Sequence, residues 1–206
     1  MSGSASPTIS ATEFKKRLGQ LHETYLRGIN YYTVWLRIQY YDADEADWSL
    51  DEQNEVLHSF VGFFKPVGIA LQEALFLQFA KIFDSDSRTS SLPNLLDLAK
   101  SDPSLTPNCS SADIAKLESD LNGQASIVSG LTQMRNQRLA HDDSSSLPAS
   151  AITKADLDKF IEVVGDTFNS LSVAHDDSFY SWQYMRKQAS SHTLQLIGSL
   201  LKGTDS

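Results

Sequence analysis

An apolar side chain recurs every three or four residues through the region 14–38. The members are Phe14, Leu18, Leu21, Tyr25, Ile29, Tyr32, Trp35, Leu36 and Ile38. This spacing is the period of an amphipathic α-helix and not that of a strand. The segment SATE just before it has the capping-box form, in which Ser10 and Glu13 satisfy each other's free backbone N–H groups. The pattern predicts one long helix that ends near the acidic turn at 42–47.

The same period continues through the rest of the chain, and no run alternates long enough to predict a sheet. A second capping box, at 49–52, predicts a helical segment toward Phe64, and Pro66 predicts a kink or the first turn of the next helix. Further helices are predicted over 67–83, 92–100, 110 or 111 to about 140, 153–171 and 179 to about 201. The segment 67–83 is apolar around most of its circumference and is predicted to be the most buried helix. The chain is therefore predicted to be all-α, an antiparallel helical bundle with additional flanking helices.

Length and composition indicate one domain. The chain has 206 residues, of which 41% are hydrophobic, and we expect a disordered N-terminal tail over 1–9 followed by a single domain over 10–206. Cys109 is the only cysteine, so an internal disulfide and a cysteine-based zinc cluster are both excluded. The N-terminus lacks the pattern of a secretory signal, and polar residues interrupt the most apolar stretch. These features favour a cytoplasmic protein without a membrane span.

The charge balance limits the partners. The chain has 17 lysines and arginines against 26 aspartates and glutamates, a formal net charge of −9. An acidic surface disfavours general DNA binding, so any polyanion must be bound by a local patch. The sequence has no glycine-rich phosphate loop, no serine nucleophile elbow and no basic stripe. A small, focused phosphate site remains possible.

The segment QMRNQRLAHDD, at 133–143, concentrates residues with suitable chemistry for such a site. His141 can exchange a proton near neutral pH, and Arg135 offers a permanent charge whose fork fits phosphate oxygens. Asn136 adds a neutral donor and acceptor. Together these groups suffice to cleave RNA without a metal or another cofactor, since the base deprotonates the ribose 2′-hydroxyl and the arginine stabilises the developing charge. DNA lacks that hydroxyl and is excluded as a substrate.

The spacing within this segment raises a geometric question. Residues six apart on a helix are separated by about 600° of rotation, so Arg135 and His141 do not share a face. They converge only if the helix loosens near Ala140 or if a second copy of the chain brings its own motif alongside. A structural role stays open as well, because arginine and histidine near a helix C-terminus can bind its free carbonyl groups.

The residues RNQRLAH match the Arg-x(4–6)-His signature of the HEPN superfamily, with five residues between Arg135 and His141. Together with the upstream helix ending LFLQFAKIFDSDSR, the region from about Phe60 to Asp143 resembles the abortive-infection (AbiU-type) HEPN subgroup. The resemblance implies an α-helical bundle that forms a homodimer, whose two facing motifs build one ribonuclease site. Arg135, Asn136 and His141 would be its catalytic residues, with Asn136 in a supporting role.

The resemblance also implies possible biological roles. Many HEPN proteins are toxins or phage-defence effectors, some with a nucleotidyltransferase antitoxin, and others are non-catalytic modules that bind a nucleotide or a partner protein. The toxins silenced by nucleotide transfer often carry a tyrosine two residues after the histidine. Asp143 occupies that position here, so silencing by that route is not expected.

Three further residues are candidates for supporting roles. Arg138 and Asp142 lie within the motif, where Asp142 would add negative charge beside the RNA. Glu73 lies among aliphatic residues of the segment 67–83, where it could orient Arg135 or Arg138 or could face solvent. Both alternatives stay open.

A near-repeat of the motif's end occurs later in the chain, where VAHDD at 173–177 follows LAHDD at 139–143. Asn169 and Ser170 stand where a duplication would place the Arg-Asn pair, so we interpret the match as reuse of helix-ending residues. The two His-Asp dyads, with His22 and His58, lack the spacing of an ordered ligand set, and no metal centre is predicted.

Overall fold

The computed structural model describes residues 9–140 and 152–204, without the side chains of 137–140 and 204. Within these ranges the regular structure is entirely helical, which confirms the predicted all-α fold. Eight α-helices and one short 3₁₀ turn (103–105) are present in the described part of the chain. The helices are α1 (Ala11–Gln39), α2 (Leu50–Ser59), α3 (Val61–Ile82), α4 (Leu92–Ser101), α5 (Ser111–Asn122), α6 (Ala125–Ala140), α7 (Lys154–Asp176) and α8 (Trp182–Thr204).

Helix α1 forms as the periodicity predicts. The Ser10 hydroxyl accepts a hydrogen bond from the backbone N–H of Glu13 at 3.1 Å, and the helix then runs without interruption to Gln39. Its apolar positions point into the core, where Phe14 and Ile29 are fully buried. The aromatic residue Tyr32 is fully buried too, so it packs the core and is not available to stack on a base.

The helical segment predicted from 49 toward 64 is interrupted at Phe60, where the prediction was wrong. Phe60 has φ −113° and ψ 31°, and its N–H turns back to the carbonyl groups of Val56 and His58. Helices α2 and α3 meet there at a bend of 99°. Pro66 lies inside α3 and not at a boundary, so α3 lacks the hydrogen bond that its N–H would donate.

Helix α3 is buried over only part of its length. Leu75, Phe79 and Ile82 are fully buried, whereas Ile69 is 44% exposed. The segment 67–83, predicted to be the most buried helix, is therefore buried mainly in its C-terminal half. An apolar circumference predicts burial only where neighbouring helices supply a surface to cover it.

The single helix predicted from 110 or 111 to about 140 is two helices. Ser110 is the N-cap of α5, and the break between α5 and α6 falls at Gly123 and Gln124. The Gly123 N–H still donates to Ser119, whereas the Gln124 N–H donates to Leu121, one residue closer in the chain. Glycine is the weakest helix former after proline, and Gln124 is buried at the break, so the side chain there is held by tertiary packing.

The described contacts divide the chain into two compact units. The first comprises residues 1–25 and 76–180, and the second comprises residues 26–75 and 181–206. The single domain expected over 10–206 stays a prediction, and residues 1–8 of the expected N-terminal tail lie outside the described residues.

Antiparallel packing of α1 against α7 organises the first unit. The ring of Phe14, near the start of α1, lies 5.1 Å from that of His175, near the end of α7. Further along α1, the Tyr25 hydroxyl donates to the carbonyl of Ile161 at 2.6 Å. The order of these contacts runs in opposite directions along the two helices, as expected for an antiparallel bundle.

The second unit has its own hydrophobic core. Ile38, Val56, Phe64 and Ile197 form the core, which joins α1, α2, α3 and α8.

Among residues 9–140 and 152–204, no single helix has the length and apolar composition needed to cross a bilayer. Helices α2 and α3 pass that test only when they are taken together as a bent pair.

Candidate functional site

The Arg-Asn pair of the motif lies in the C-terminal part of α6. Arg135 is half-buried and Asn136 is exposed. Helix α6 continues through Ala140, so the pair is held on a regular helical backbone and not on a loop. A site on a helix is placed more precisely than one on a loop, because each side chain starts from a fixed backbone.

The guanidinium group of Arg135 is oriented by its neighbour. Its Nε and Nη2 atoms both donate to Oδ1 of Asn136, at 3.1 and 3.0 Å. An arginine has five N–H donors, so these two bonds leave three for another acceptor. Asn136 therefore fixes one edge of the fork while the rest can bind a phosphate.

This geometry bears on the structural alternative for Arg135. A capping arginine would donate to the free carbonyl groups at the end of its own helix. Within the described residues, the hydrogen bonds of the Arg135 side chain go to Asn136 instead. Arg135 is thus held by Asn136 and does not cap its own helix through these bonds. Its charge still complements the negative end of the helix dipole.

Helix α6 carries positive charge only in its C-terminal part. Its sequence, ASIVSGLTQMRNQRLA, contains two arginines and no aspartate or glutamate. In a chain of net charge −9, this helix is one of the places where a phosphate would not meet a carboxylate on the same element. The side chain of Arg138 lies outside the described residues, and so do His141 and Asp142.

Ile152, the first described residue after 141–151, lies against α6. Ile152 packs beside Gly130 on α6, and a β-carbon at Gly130 would lie 3.1 Å from Cδ1 of Ile152. Thr153 then caps α7 through a complete capping box with Asp156, at the position where the sequence predicts this helix to begin. The residue before the segment 141–151 therefore belongs to α6, and the residue after it packs against α6.

Glu73 lies in α3 and is half-buried. It belongs to the second unit, whereas Arg135 belongs to the first. Its proposed role in orienting Arg135 or Arg138 stays a prediction.

The second His-Asp dyad has structural partners. Nδ1 of His175 lies 2.6 Å from the carbonyl oxygen of Leu105, and Asp176 pairs with Lys15 at 2.7 Å. Asp177 ends α7 in the left-handed conformation, at φ 60°. These contacts agree with the interpretation of VAHDD as a helix terminus.

The Lys15–Asp176 pair predicts a specific response to acid. Hydrogen bonds from Lys15 and Ser178 lower the pKa of Asp176 from 3.8 to about 2. Because the folded-state pKa is depressed, the stabilisation is complete above pH 4 and is lost as the pH falls toward 2. We expect Asp176→Asn to be less stable than wild type at pH 6 and to lose less stability between pH 4 and pH 2.

Urea denaturation at each pH measures this difference. Asp86 also has a pKa of about 2, through its contact with Arg88, and remains in both proteins. Parallel stability curves for the two proteins between pH 4 and pH 2 would contradict the assignment.

Two other histidines of the described residues, His22 and His58, have separate environments. The ring of His22 lies 4.3 Å from that of Tyr180, and burial lowers its pKa despite the nearby Glu23. His58 is exposed on α2. In the part of the chain that the structure describes, no three histidine, cysteine, aspartate or glutamate residues are grouped closely enough to hold a metal ion.

A polar cleft in the second unit was not anticipated from the sequence. It has a volume of about 1010 Å³, and one wall is a face of α8 that includes Arg186, Lys187 and Lys202. The available signal was the composition of α8, WQYMRKQASSHTLQLIGSLLKGT, which contains no aspartate or glutamate. Three cations spread over a helix of 23 residues do not form a basic run in the sequence. Only the structure shows that all three line one cleft.

An all-α chain that presents an Arg-Asn pair near the end of a cationic helix has the arrangement of a HEPN protein. The chain belongs to the AbiU2 family of HEPN proteins, whose family model matches residues 11–196. That match confirms the predicted membership and extends it from the motif region to nearly the whole chain. No curated protein and no solved structure matches the chain significantly.

Proposed function

We propose that this AbiU2-family HEPN protein is a metal-independent endoribonuclease that acts as a toxin or phage-defence effector. The observation that carries the proposal is the Arg135 guanidinium, held at 3.1 and 3.0 Å by Asn136 with three N–H donors left over. A permanent, pre-oriented charge on a helix without carboxylates is suited to stabilising a phosphorane-like transition state. Membership of an abortive-infection family supports the proposed biological role.

The proposed reaction needs a base and a cation. His141 removes the proton of a ribose 2′-hydroxyl, and that oxygen attacks the adjacent phosphorus. The P–O5′ bond breaks, and the proton returns to the departing 5′-oxygen. The products are a 2′,3′-cyclic phosphate and a 5′-hydroxyl end. Arg135 stabilises the charge that develops on the phosphate oxygens.

The helix geometry favours a site that is shared between two protomers. The described part of α6 is regular through Ala140, so Arg135 shares its face with position 139. Continued rotation by about 100° per residue would place position 141 on a different face. A homodimer with facing motifs supplies the histidine of one protomer to the arginine of the other, and we propose that arrangement.

Cleavage in EDTA tests the proposed activity. We expect the purified protein to cut a defined RNA in the presence of EDTA, to leave cyclic phosphate ends and to spare a deoxyribose strand of the same sequence. His141→Ala should lower the rate by about 10²–10⁴-fold, the range for loss of a general acid–base group.

His58→Ala is the matched control, since it removes an exposed histidine from α2. We expect it to cleave like wild type. Equal cleavage by wild type and His141→Ala, or cleavage that requires a divalent metal, would refute the proposal. A genetic neighbour that suppresses toxicity would identify the antitoxin, whether or not it is a nucleotidyltransferase.

A further inference from the structure

The polar cleft of the second unit has two walls of opposite charge. One wall is α8, and the other is formed by the end of α1 and the acidic turn after it, which contribute Thr33, Arg37, Glu45, Asp47 and Trp48. All of these residues belong to the second unit. At about 1010 Å³, the cleft is at the upper end of the range for ligand-binding sites.

The α8 wall presents cations and neutral hydrogen-bonding groups. Lys187 and Lys202 are exposed at its two ends, 15 residues apart, which corresponds to about 22 Å along a helix. Between them the wall consists mainly of serine and glutamine side chains. The residues are Ser190, Ser191, Gln195 and Ser199. At about 3.4 Å per stacked nucleotide, this row can follow a strand of several nucleotides.

The acidic wall is held rigidly. The Arg37 guanidinium is buried and pairs with Asp42 at 2.6 Å and with Glu45 at 2.5 Å. Its Nε donates to the Ser190 hydroxyl at 2.7 Å, and that hydroxyl donates to Glu45. The turn is thereby fastened to α8. Asp47 makes no ion pair within the described ranges, so its carboxylate remains available to a ligand.

Thr33 and Trp48 also line the cleft. The hydroxyl of Thr33 is buried and has no hydrogen-bond partner among the described residues, although it lines the cleft. Trp48 is partly exposed in the same cleft and packs on Gly198, where a β-carbon would lie 3.0 Å from the indole ring.

We propose that this cleft binds single-stranded RNA. The phosphates lie along the Lys187–Lys202 wall, and the amino groups of the bases donate to Glu45 and Asp47, as carboxylates accept from cytosine N4 in base recognition. Trp48 offers an aromatic surface to a base. The carboxylates explain why the ligand is a nucleic acid strand and not a simple polyanion, since a polyanion has no donors for them.

This inference rests on the proposed function only in taking RNA as the substrate, and it is tested by binding without cleavage. The His141→Ala protein is titrated into a fluorescent 12-nucleotide RNA, and the Kd is measured by anisotropy at several salt concentrations. The test variant adds Lys187→Gln and Lys202→Gln. The control variant adds Lys65→Gln and Lys159→Gln, which remove the same charge from exposed positions on α3 and α7.

We expect the test variant to raise the Kd at least tenfold and the control to change it less than twofold. Loss of two phosphate contacts should lower the slope of log affinity against log salt by about 1.4. Inorganic polyphosphate should compete poorly with the His141→Ala protein and better once Asp47→Asn is added. Melting temperatures of all variants should agree, because the substituted side chains are exposed.

Three results would overturn the inference: equal weakening by both lysine pairs, competition by polyphosphate as strong as by RNA, or binding of a single nucleotide as tight as that of the strand. The two proposals fail separately. RNA binding that depends on the two cleft lysines without any cleavage by wild type would refute the ribonuclease alone. Cleavage by wild type with unchanged RNA binding in the lysine variant would refute the cleft alone.

Discussion

Arg135→Ala is expected to lower the rate of RNA cleavage by about 10²–10³-fold, the effect of removing one transition-state donor from a pre-oriented site. The reason is geometric as well as electrostatic. Asn136 holds one edge of the guanidinium fork, so the remaining donors are directed before the substrate arrives. Arg135→Lys keeps the charge but loses the fork, and we expect it to recover only a small part of the rate. Single-turnover cleavage of end-labelled RNA in EDTA measures both variants.

Arg88→Ala is the matched control for this experiment, because Arg88 is an exposed arginine whose ion pair is with Asp86. It should cleave at the wild-type rate. Asn136→Ala should reduce the rate less than Arg135→Ala does, since the cation remains but is no longer held. An Arg135→Ala protein within twofold of wild type would leave the arginine with a structural role only.

A mixing experiment distinguishes a shared site from a site within one protomer. Arg135→Ala and His141→Ala proteins are each expected to cleave RNA at least about 10²-fold more slowly than wild type. If the arginine of one protomer acts with the histidine of its partner, mixed dimers contain one intact pair and regain activity. No recovery in mixtures that demonstrably exchange subunits would argue against the facing arrangement.

Phe160→Ala is expected to lower the free energy of unfolding by about 3–5 kcal/mol, the cost of deleting a fully buried phenyl ring. Phe160 has no exposed surface and lies on α7, where its ring centroid is 5.5 Å from those of Phe79 and Phe83. Phe79 lies in α3 and Phe83 directly follows it, so these contacts join α7 to the C-terminal end of α3 within the first unit. Since domains are stable by only about 5–15 kcal/mol, this loss is a large fraction of the total stability.

Urea denaturation followed by circular dichroism measures this loss. Phe160→Leu keeps most of the apolar volume and should cost less than about 1.5 kcal/mol. Phe179→Ala is the matched control, because its ring is 71% exposed, and a change within about 0.5 kcal/mol is expected. A similar loss for the buried and the exposed phenylalanine would show that the packing around Phe160 contributes little.

The candidate site could be named from the sequence only in part. Arg135, Asn136 and His141 were predicted because their side chains carry the chemistry and match a family signature. The bond from the guanidinium to Asn136 was not predictable, because either residue could equally have faced water or a helix end. His141 lies outside the described residues, and its catalytic role stays a prediction that the mixing experiment addresses.

The sequence by itself determined the features that depend on residues within a few positions of one another. The helical period of α1, the capping box at Ser49 and the start of α7 near Thr153 are of this kind, because each hydrogen bond joins residues three or four apart. The family signature is equally local. These features were predicted correctly.

Only the tertiary structure decided where the longer helices break and which faces become buried. The breaks at Phe60 and Gly123 divide segments that have continuous helical periodicity, because packing elsewhere outweighs small local preferences. The cleft depends on a contact between Arg37 and Ser190, which are 153 residues apart. No local pattern records such a contact, since the chain must fold before α8 and the acidic turn can lie side by side.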